Sequence, residues 1–298
     1  MKAIETRKLT KYYGSARGIV DLDLEVSEGE FFGFIGPNGA GKSTTIRTLL
    51  GLITQTGGEA EIFGLNVNKN RQEILKKVGY LPSEAAFYSG MKAGEIIDFS
   101  LKLRGLKTDS DVKALCERFE LDTEKKVEEL SLGNRKKVGI VSALAHHPSL
   151  YILDEPTSGL DPLMQREFYT VLSERCEEGA TVFLSSHILS EVSRYCKRAA
   201  VIREGKLLAV DSVEKLGHTG VKRVSLKGIS TLPQIKGISN LKVDGDSASF
   251  LYGGGAKTLA SLLSSLSFED FSVTDPDLDE VFMHFYQSDK NGIGEEEK

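Results

Sequence analysis

An α/β core of the parallel-sheet type is predicted, preceded by an antiparallel β-layer, interrupted by a helical subdomain and followed by a small α+β domain. Three observations predict it. Phe31–Ile35 is a short continuous apolar run that passes through a glycine-rich loop into the helical pattern STTIRTLLGL, the strand, loop and helix order of a parallel sheet buried on both faces. Residues 150–153 and 181–185 repeat the buried-strand pattern. Between the first and second of these runs, over roughly residues 85–147, EIIDFSLKLRG and DVKALCERFEL carry amphipathic helical periodicity instead.

Residues 1–30 alternate apolar and polar side chains, with Ile4, Leu9 and the stretch 19–26 flanking the turn-rich segment KYYGSARG, as an antiparallel layer requires. After about residue 215 the pattern becomes VKRVSLKG, then NLKV and SASFLY, the last two separated by Asp244, Gly245 and Asp246 as a hairpin turn. The helix AKTLASLLSSL, a strand near 271–274 and a final helix follow. In that helix Leu278, Val281, Phe282 and Phe285 fall at i, i+3, i+4 and i+7, which makes one apolar face. NGIGEEEK reads as a flexible tail. The expected domains are residues 1–215, with the helical subdomain inside them, and 216–288, ahead of a tail at 289–298.

At 298 residues the chain has room for one large and one small domain, and 40% hydrophobic residues can fill both cores. Its 43 acidic residues against 38 basic ones argue against a nucleic-acid backbone as partner. Cys116, Cys176 and Cys196 are odd in number and lack a C-x-x-C pair, so they read as reduced, mostly buried thiols rather than a disulfide framework or zinc site. Lys2, Glu5, Arg7 and Lys8 come before any apolar stretch that could serve as a signal peptide, so a cytoplasmic location is expected. No stretch approaches the ~20 apolar residues that a membrane-spanning helix needs. Any membrane role is expected to be borrowed from a partner.

The strongest motif is GPNGAGKS, residues 36–43, which fits G-x-x-x-x-G-K-[ST] between a predicted strand and a predicted helix and marks a P-loop NTPase core. Such a loop curls so that its N–H groups, here those of Asn38, Gly39, Ala40 and Gly41, face phosphate oxygens, and the helix start adds its positive dipole end. Lys42 is then expected at the β- and γ-phosphates of ATP, Ser43 at Mg²⁺, and Thr44 at a further phosphate oxygen. The second constellation is LYILDE, residues 150–155, a buried strand ending in two carboxylates. Alternation along a strand points Asp154 and Glu155 to opposite sides. Asp154 is expected to hold Mg²⁺ and Glu155 to polarise the water that attacks the γ-phosphate.

With those residues in place, LSLGNRKKVGIVSALAHHPSLYILDEPTSGLDP resembles the signature segment, helix, Walker B strand and D-loop of ATP-binding cassette (ABC) ATPases, and the resemblance spans about residues 1–215. The family's signature is usually LSGGQ; this chain has Leu130, Ser131, Leu132, Gly133 and Asn134. The resemblance implies that Ser131 and Gly133 bind the γ-phosphate of ATP held by a second subunit, in a dimer taken to be a homodimer. It implies that Asp161 acts across that interface and that His187, in LSSH, contacts the γ-phosphate. Tyr13 matches the aromatic that stacks on adenine, with Tyr12 as the competing candidate. Ser83 stands where the family has a glutamine that touches Mg²⁺ and water, and the neighbouring Glu84 is the alternative.

The same resemblance implies a separate transmembrane permease whose cytoplasmic helix docks near residues 83–95, beside Phe87, Tyr88 and Met91, and places the chain peripherally at the inner face of the plasma membrane. The ending DPDLDEVFMHFY resembles ATPase subunits of bacterial multidrug, antibiotic and peptide exporters. The alternative is a soluble ABC-type ATPase without a transport role. Against it stand one cassette, no heptad insertion and an acidic balance.

Overall fold

The computed structural model describes residues 1–217, 221–229 and 237–274. The expected final helix, with Leu278, Val281, Phe282 and Phe285, and the expected tail lie outside the described residues. The chain forms two compact units, Met1–Val210 and Asp211–Lys298.

In the first unit β1 (Lys2–Tyr13) and β2 (Ala16–Ser27) pair antiparallel, with Ile4 opposite Val26 and Tyr13 opposite Ala16. The chain then enters β3 (Phe31–Ile35), every residue of which is buried, and α1 (Lys42–Leu49). Threonines sit inside α1 without breaking it because the Thr45 and Thr48 hydroxyls donate back to Gly41 O at 3.0 Å and Thr44 O at 2.8 Å. β4 (Gly57–Ile62) and β5 (Leu65–Asn66) return to the antiparallel layer, which has the order β2-β1-β4-β5.

After α2 (Arg71–Lys77) and β6 (Val78–Leu81) comes the helical insert, α3 (Ala93–Lys102), α4 (Ser110–Arg118) and α5 (Leu132–Leu144). The caps follow from sequence: Asp109 accepts from Val112 N at 3.0 Å to start α4, and Ser131 accepts from Asn134 N at 3.3 Å to start α5. The core resumes with β7 (Leu150–Asp154), α6 (Pro162–Glu177), β8 (Thr181–Ser186), α7 (Leu189–Tyr195), β9 (Arg198–Arg203) and β10 (Lys206–Ser212). Arg118 ties the insert to the core, its two Nη atoms gripping Glu174 of α6 at 2.6 and 3.0 Å while Nε meets Glu167 at 2.5 Å.

The six-stranded sheet has the order β10-β9-β3-β8-β7-β6, and β9, β3, β8, β7 and β6 run parallel. All their C-terminal ends therefore emerge on one edge, where open α/β sheets bind ligands. Phe183 of β8 stacks against Phe32 at 6.0 Å and meets Phe34 at 5.2 Å, which fixes β3 against β8 beneath the phosphate loop.

The second unit holds α8 (Val213–Gly217), β11 (Lys222–Lys227), β12 (Ile238–Asp244), β13 (Ser247–Tyr252), α9 (Ala256–Ser265) and β14 (Asp270–Thr274). Its antiparallel sheet has the order β12-β13-β11-β14, with a core of Val224, Leu226, Phe250, Tyr252, Leu259 and Leu262. The expected hairpin turns at Gly245, φ 59°, between the paired Asp244 and Ser247. One expectation is corrected: of the three free thiols only Cys196 is buried, while Cys116 and Cys176 are half-exposed because they sit on helix flanks rather than core faces. Among the described residues no helix is long and apolar enough to cross a membrane.

Candidate active site

The phosphate loop leaves β3 and turns into α1 through Gly41, which sits at φ 110°. A Cβ there would lie 2.9 Å from Ile19 Cγ2 and 3.0 Å from Gly18 O, so both conformation and space demand glycine. The first N–H groups of a helix have no intrahelical acceptor and carry the positive end of its dipole, which makes this corner an anion cradle. A cavity of about 210 Å³ opens there, lined by Tyr13, Arg17, Gly18, Asn38, Gly39, Gly41, Lys42, Ser43, Thr44 and Glu155. Ala40 backs it, its N–H donating to Pro37 O at 3.1 Å and so curling the loop. Tyr13 faces this cavity and Tyr12 is not part of its lining, the Tyr12 N–H being bound to Thr56 Oγ1 at 3.2 Å. A larger cavity of about 790 Å³ lies in the insert between α3 and α4, but its walls are rich in carboxylates such as Glu95, Asp98 and Glu117, which repel a phosphate.

Lys42 is only 5% exposed, and its ammonium donates to Gly36 O at 2.7 Å and Pro37 O at 3.2 Å while lying 3.2 Å from Glu155 Oε1. His187 Nδ1 sits 3.2 Å from the same carboxylate oxygen. Burial works to raise the Glu155 carboxyl, but Lys42 and then His187 beside it prevail and hold it below its ordinary value. The carboxylate is thus kept ionised, as a group that accepts a proton from water must be. Asp154, 2% exposed, accepts a hydrogen bond from Ser185 Oγ at 3.0 Å across the β7–β8 pair.

The expectation that strand alternation separates the two acids is corrected. β7 ends at Asp154, and Glu155 turns off the strand with φ 47°, in the left-handed region, while its N–H still donates to Ser185 O at 3.0 Å. A backbone turn, not the pleat, aims Glu155 at Lys42.

Ser131, Gly133 and Asp161 do not reach this cavity. Ser131 caps α5, and Asp161 caps α6, accepting from Leu163 N at 3.1 Å and Met164 N at 3.0 Å. Gly133 lies against the D-loop turn, since a Cβ on it would sit 2.8 Å from Gly159 O. Leu132, where the family has glycine, is 68% exposed beside Gly159. Ser83 is half-buried, and its carbonyl accepts from Lys136 Nζ at 2.8 Å.

Two residues were missed from sequence. Lys136 is buried with its ammonium on backbone carbonyls of the site, and burial lowers it to about 8, against the opposing pull of Asp154, Glu155 and Glu84. Glu191 of α7 accepts from Thr157 Oγ1 at 2.6 Å and Ser186 Oγ at 2.8 Å, joining the turn after Glu155 to the residue before His187. No motif marks either one; only the folded contacts reveal them.

Residues 19–158 match the family described as ABC transporter. The chain is 43% identical over 211 residues to the bacitracin transport ATP-binding protein BcrA of Bacillus licheniformis, which covers 69% of this chain and 68% of that protein. It is 32% identical over 287 residues to the uncharacterized ABC transporter ATP-binding protein YhaQ of Bacillus subtilis, 92% of this chain and 95% of that one. To the linearmycin resistance ATP-binding protein LnrL of the same organism it is 29% identical over 307 residues, 94% and 97% of the two chains. Among solved structures it is similar to an ATP binding subunit of an ABC transporter, with TM-score 0.68 and 29% identity over 72% of this chain and 91% of that one. It is also similar to the dimeric bacterial ABC transporter cassette MJ0796, with TM-score 0.65 and 25% identity over 70% and 98%.

Proposed function

The chain belongs to the ATP-binding proteins of ABC transporters and is an ATPase, and from that premise we propose that two copies close around two MgATP and drive a solute through a separate transmembrane permease. The observation that carries this reading is the meeting of Lys42, Ser43, Glu155 and His187 at one anion cradle. ATP lies with adenine on Tyr13 and its phosphates on the N–H groups of residues 38–44 and on Lys42. Glu155 draws the proton of the attacking water as its oxygen bonds to the γ-phosphorus and ADP departs, and His187 holds the γ-phosphate. Mg²⁺ fits the donor set, since Ser43 and Asp154 offer the oxygens a hard cation takes while the Ser83 side chain is too short to join them, and when bound it would neutralise phosphate charge. Ser131 and Gly133 act on the ATP of the other copy, and Asp161 on that copy's site. Their distance from the cavity of their own chain supports a shared site.

The permease docks beside residues 83–95. Tyr88 is 71% exposed, edge-on to Phe99 at 6.2 Å, and Leu103 continues the apolar surface one turn along α3. Phe87 and Met91 are half-buried. The names of BcrA and LnrL, for bacitracin transport and linearmycin resistance, support export of a drug or peptide from a position at the inner face of the plasma membrane.

The test is light scattering of Glu155→Gln with and without MgATP. An ATP-dependent shift from monomer to dimer is expected. A variant that binds ATP and stays monomeric would overturn the shared site.

A further inference from the structure

We propose that Lys136 is a positioning residue for hydrolysis, a buried tether through which the insert holds Glu155 in its working conformation. That role presupposes the action of Glu155 on water proposed above.

Lys136 lies on α5 just over one turn past the Ser131 cap, and its ammonium donates to Ser83 O at 2.8 Å, Pro82 O at 3.2 Å and Glu155 O at 3.2 Å. An ammonium has three hydrogens, so all are used and none remains for a nucleotide. The three carbonyls come from the ends of neighbouring parallel strands: Leu81 of β6 pairs with Leu153 of β7, and the chain reaches Pro82 and Glu155 directly beyond. One cation on the insert thus bridges the two strand ends that frame the catalytic corner.

Glu155 needs such a clamp. Its φ of 47° lies in the left-handed region, which an L-residue leaves unless its surroundings over-determine it. Its N–H is pinned by Ser185 O at 3.0 Å, and its carbonyl by Lys136. Remove the ammonium and the Glu155 carbonyl keeps only the longer bond from the Ser158 N–H at 3.5 Å, loosening the side chain that must stay 3.2 Å from both Lys42 and His187. Because α5 also begins at the signature serine, the tether makes hydrolysis depend on where the insert stands.

The experiment uses the full chain with Lys136→Met, which keeps length and volume but removes every donor, and Lys136→Arg, which keeps the cation. Steady-state hydrolysis and fluorescent-nucleotide titration are measured for both, with Glu155→Gln as reference. A misplaced catalytic group typically costs chemistry rather than binding, so kcat of Lys136→Met should fall about 10- to 100-fold with KM and nucleotide Kd within about twofold, and Lys136→Arg should recover most of the loss. Should the methionine chain fail to fold, Lys136→Gln, with two donors, should fold and give an intermediate kcat. Native kcat in the methionine or glutamine variant, or an arginine variant no better than methionine, overturns the tether. Near-native turnover in Glu155→Gln would instead sink the reading of Glu155 itself.

Discussion

The phosphate-loop end of the site and the signature end are built from the same chain to opposite standards. At the phosphate-loop end, Lys42, Asp154 and Ser185 are buried and each is hydrogen-bonded. At the signature end, Ser131 and Leu132 stand exposed, and Ser131 and Asp161 do no more than cap their own helices. Under the proposed shared site, the finished cradle serves nucleotide binding by itself and the exposed helix start, its cap already satisfied, serves as one half of an interface. The difference teaches where binding ends and hydrolysis begins: one copy should suffice for nucleotide capture, and two for turnover.

The largest effects should come from the finished end. Lys42→Ala removes a cation whose charge-assisted hydrogen bonds are worth roughly 1.5–3 kcal/mol each, so ATP affinity should drop about 100-fold or more in fluorescent-nucleotide titration. Undiminished affinity would remove the phosphate-loop assignment altogether. Glu155→Gln keeps the shape of the corner but accepts protons poorly, so turnover should fall by roughly 10²–10⁴ while ATP stays bound. Retained turnover would show that another group, Glu84 first among them, activates the water.

A smaller and more selective effect is expected at the exposed end. Ser131→Ala should leave nucleotide binding by the isolated chain within about twofold, because the hydroxyl lies outside the cavity of its own chain, yet lower kcat about tenfold through one lost hydrogen bond to a charged phosphate. The comparison breaks if Ser131→Ala weakens nucleotide capture as much as Lys42→Ala does. It sharpens if the deficit grows as the chain is diluted, since a shared site depends on protein concentration.

The two ends were unequally legible in the sequence as well. The cradle could be read because glycine spacing, a lysine and a strand before it encode a local shape, and residues 36–43 need nothing distant to form it. Ser131 was reached only through the resemblance of residues 130–134 to the family's signature. Strand β4 was not, because GGEAEI carries few strand-forming residues and exists as a strand by pairing with the edge of β1, Ile62 opposite Ile4. Nor was Lys136, since no motif marks it and its burial depends on carbonyls 53 and 19 residues away. Glu155 was picked as the water-polarising candidate on an incomplete reason, since alternation along β7 does not aim it at Lys42 and the left-handed turn does.

The smallest effect should come from Ser83, which lies between the two ends and departs from the family's glutamine. Its contact with the site runs through the backbone: the Ser83 carbonyl accepts from Lys136 Nζ at 2.8 Å, and alanine would present the same carbonyl. Its hydroxyl sits one bond from Cβ, too short to replace the amide of a glutamine at a metal or a water. Ser83→Ala should therefore change kcat by less than about threefold, the equivalent of one weak hydrogen bond, with ATP affinity unchanged. Assayed beside Glu155→Gln under saturating ATP and Mg²⁺, a loss approaching that of the glutamate variant would place the Ser83 hydroxyl at the metal. A Mg²⁺ titration of the alanine variant would then show a raised half-saturating concentration, and the site would have to be redrawn with Ser83 as a direct ligand.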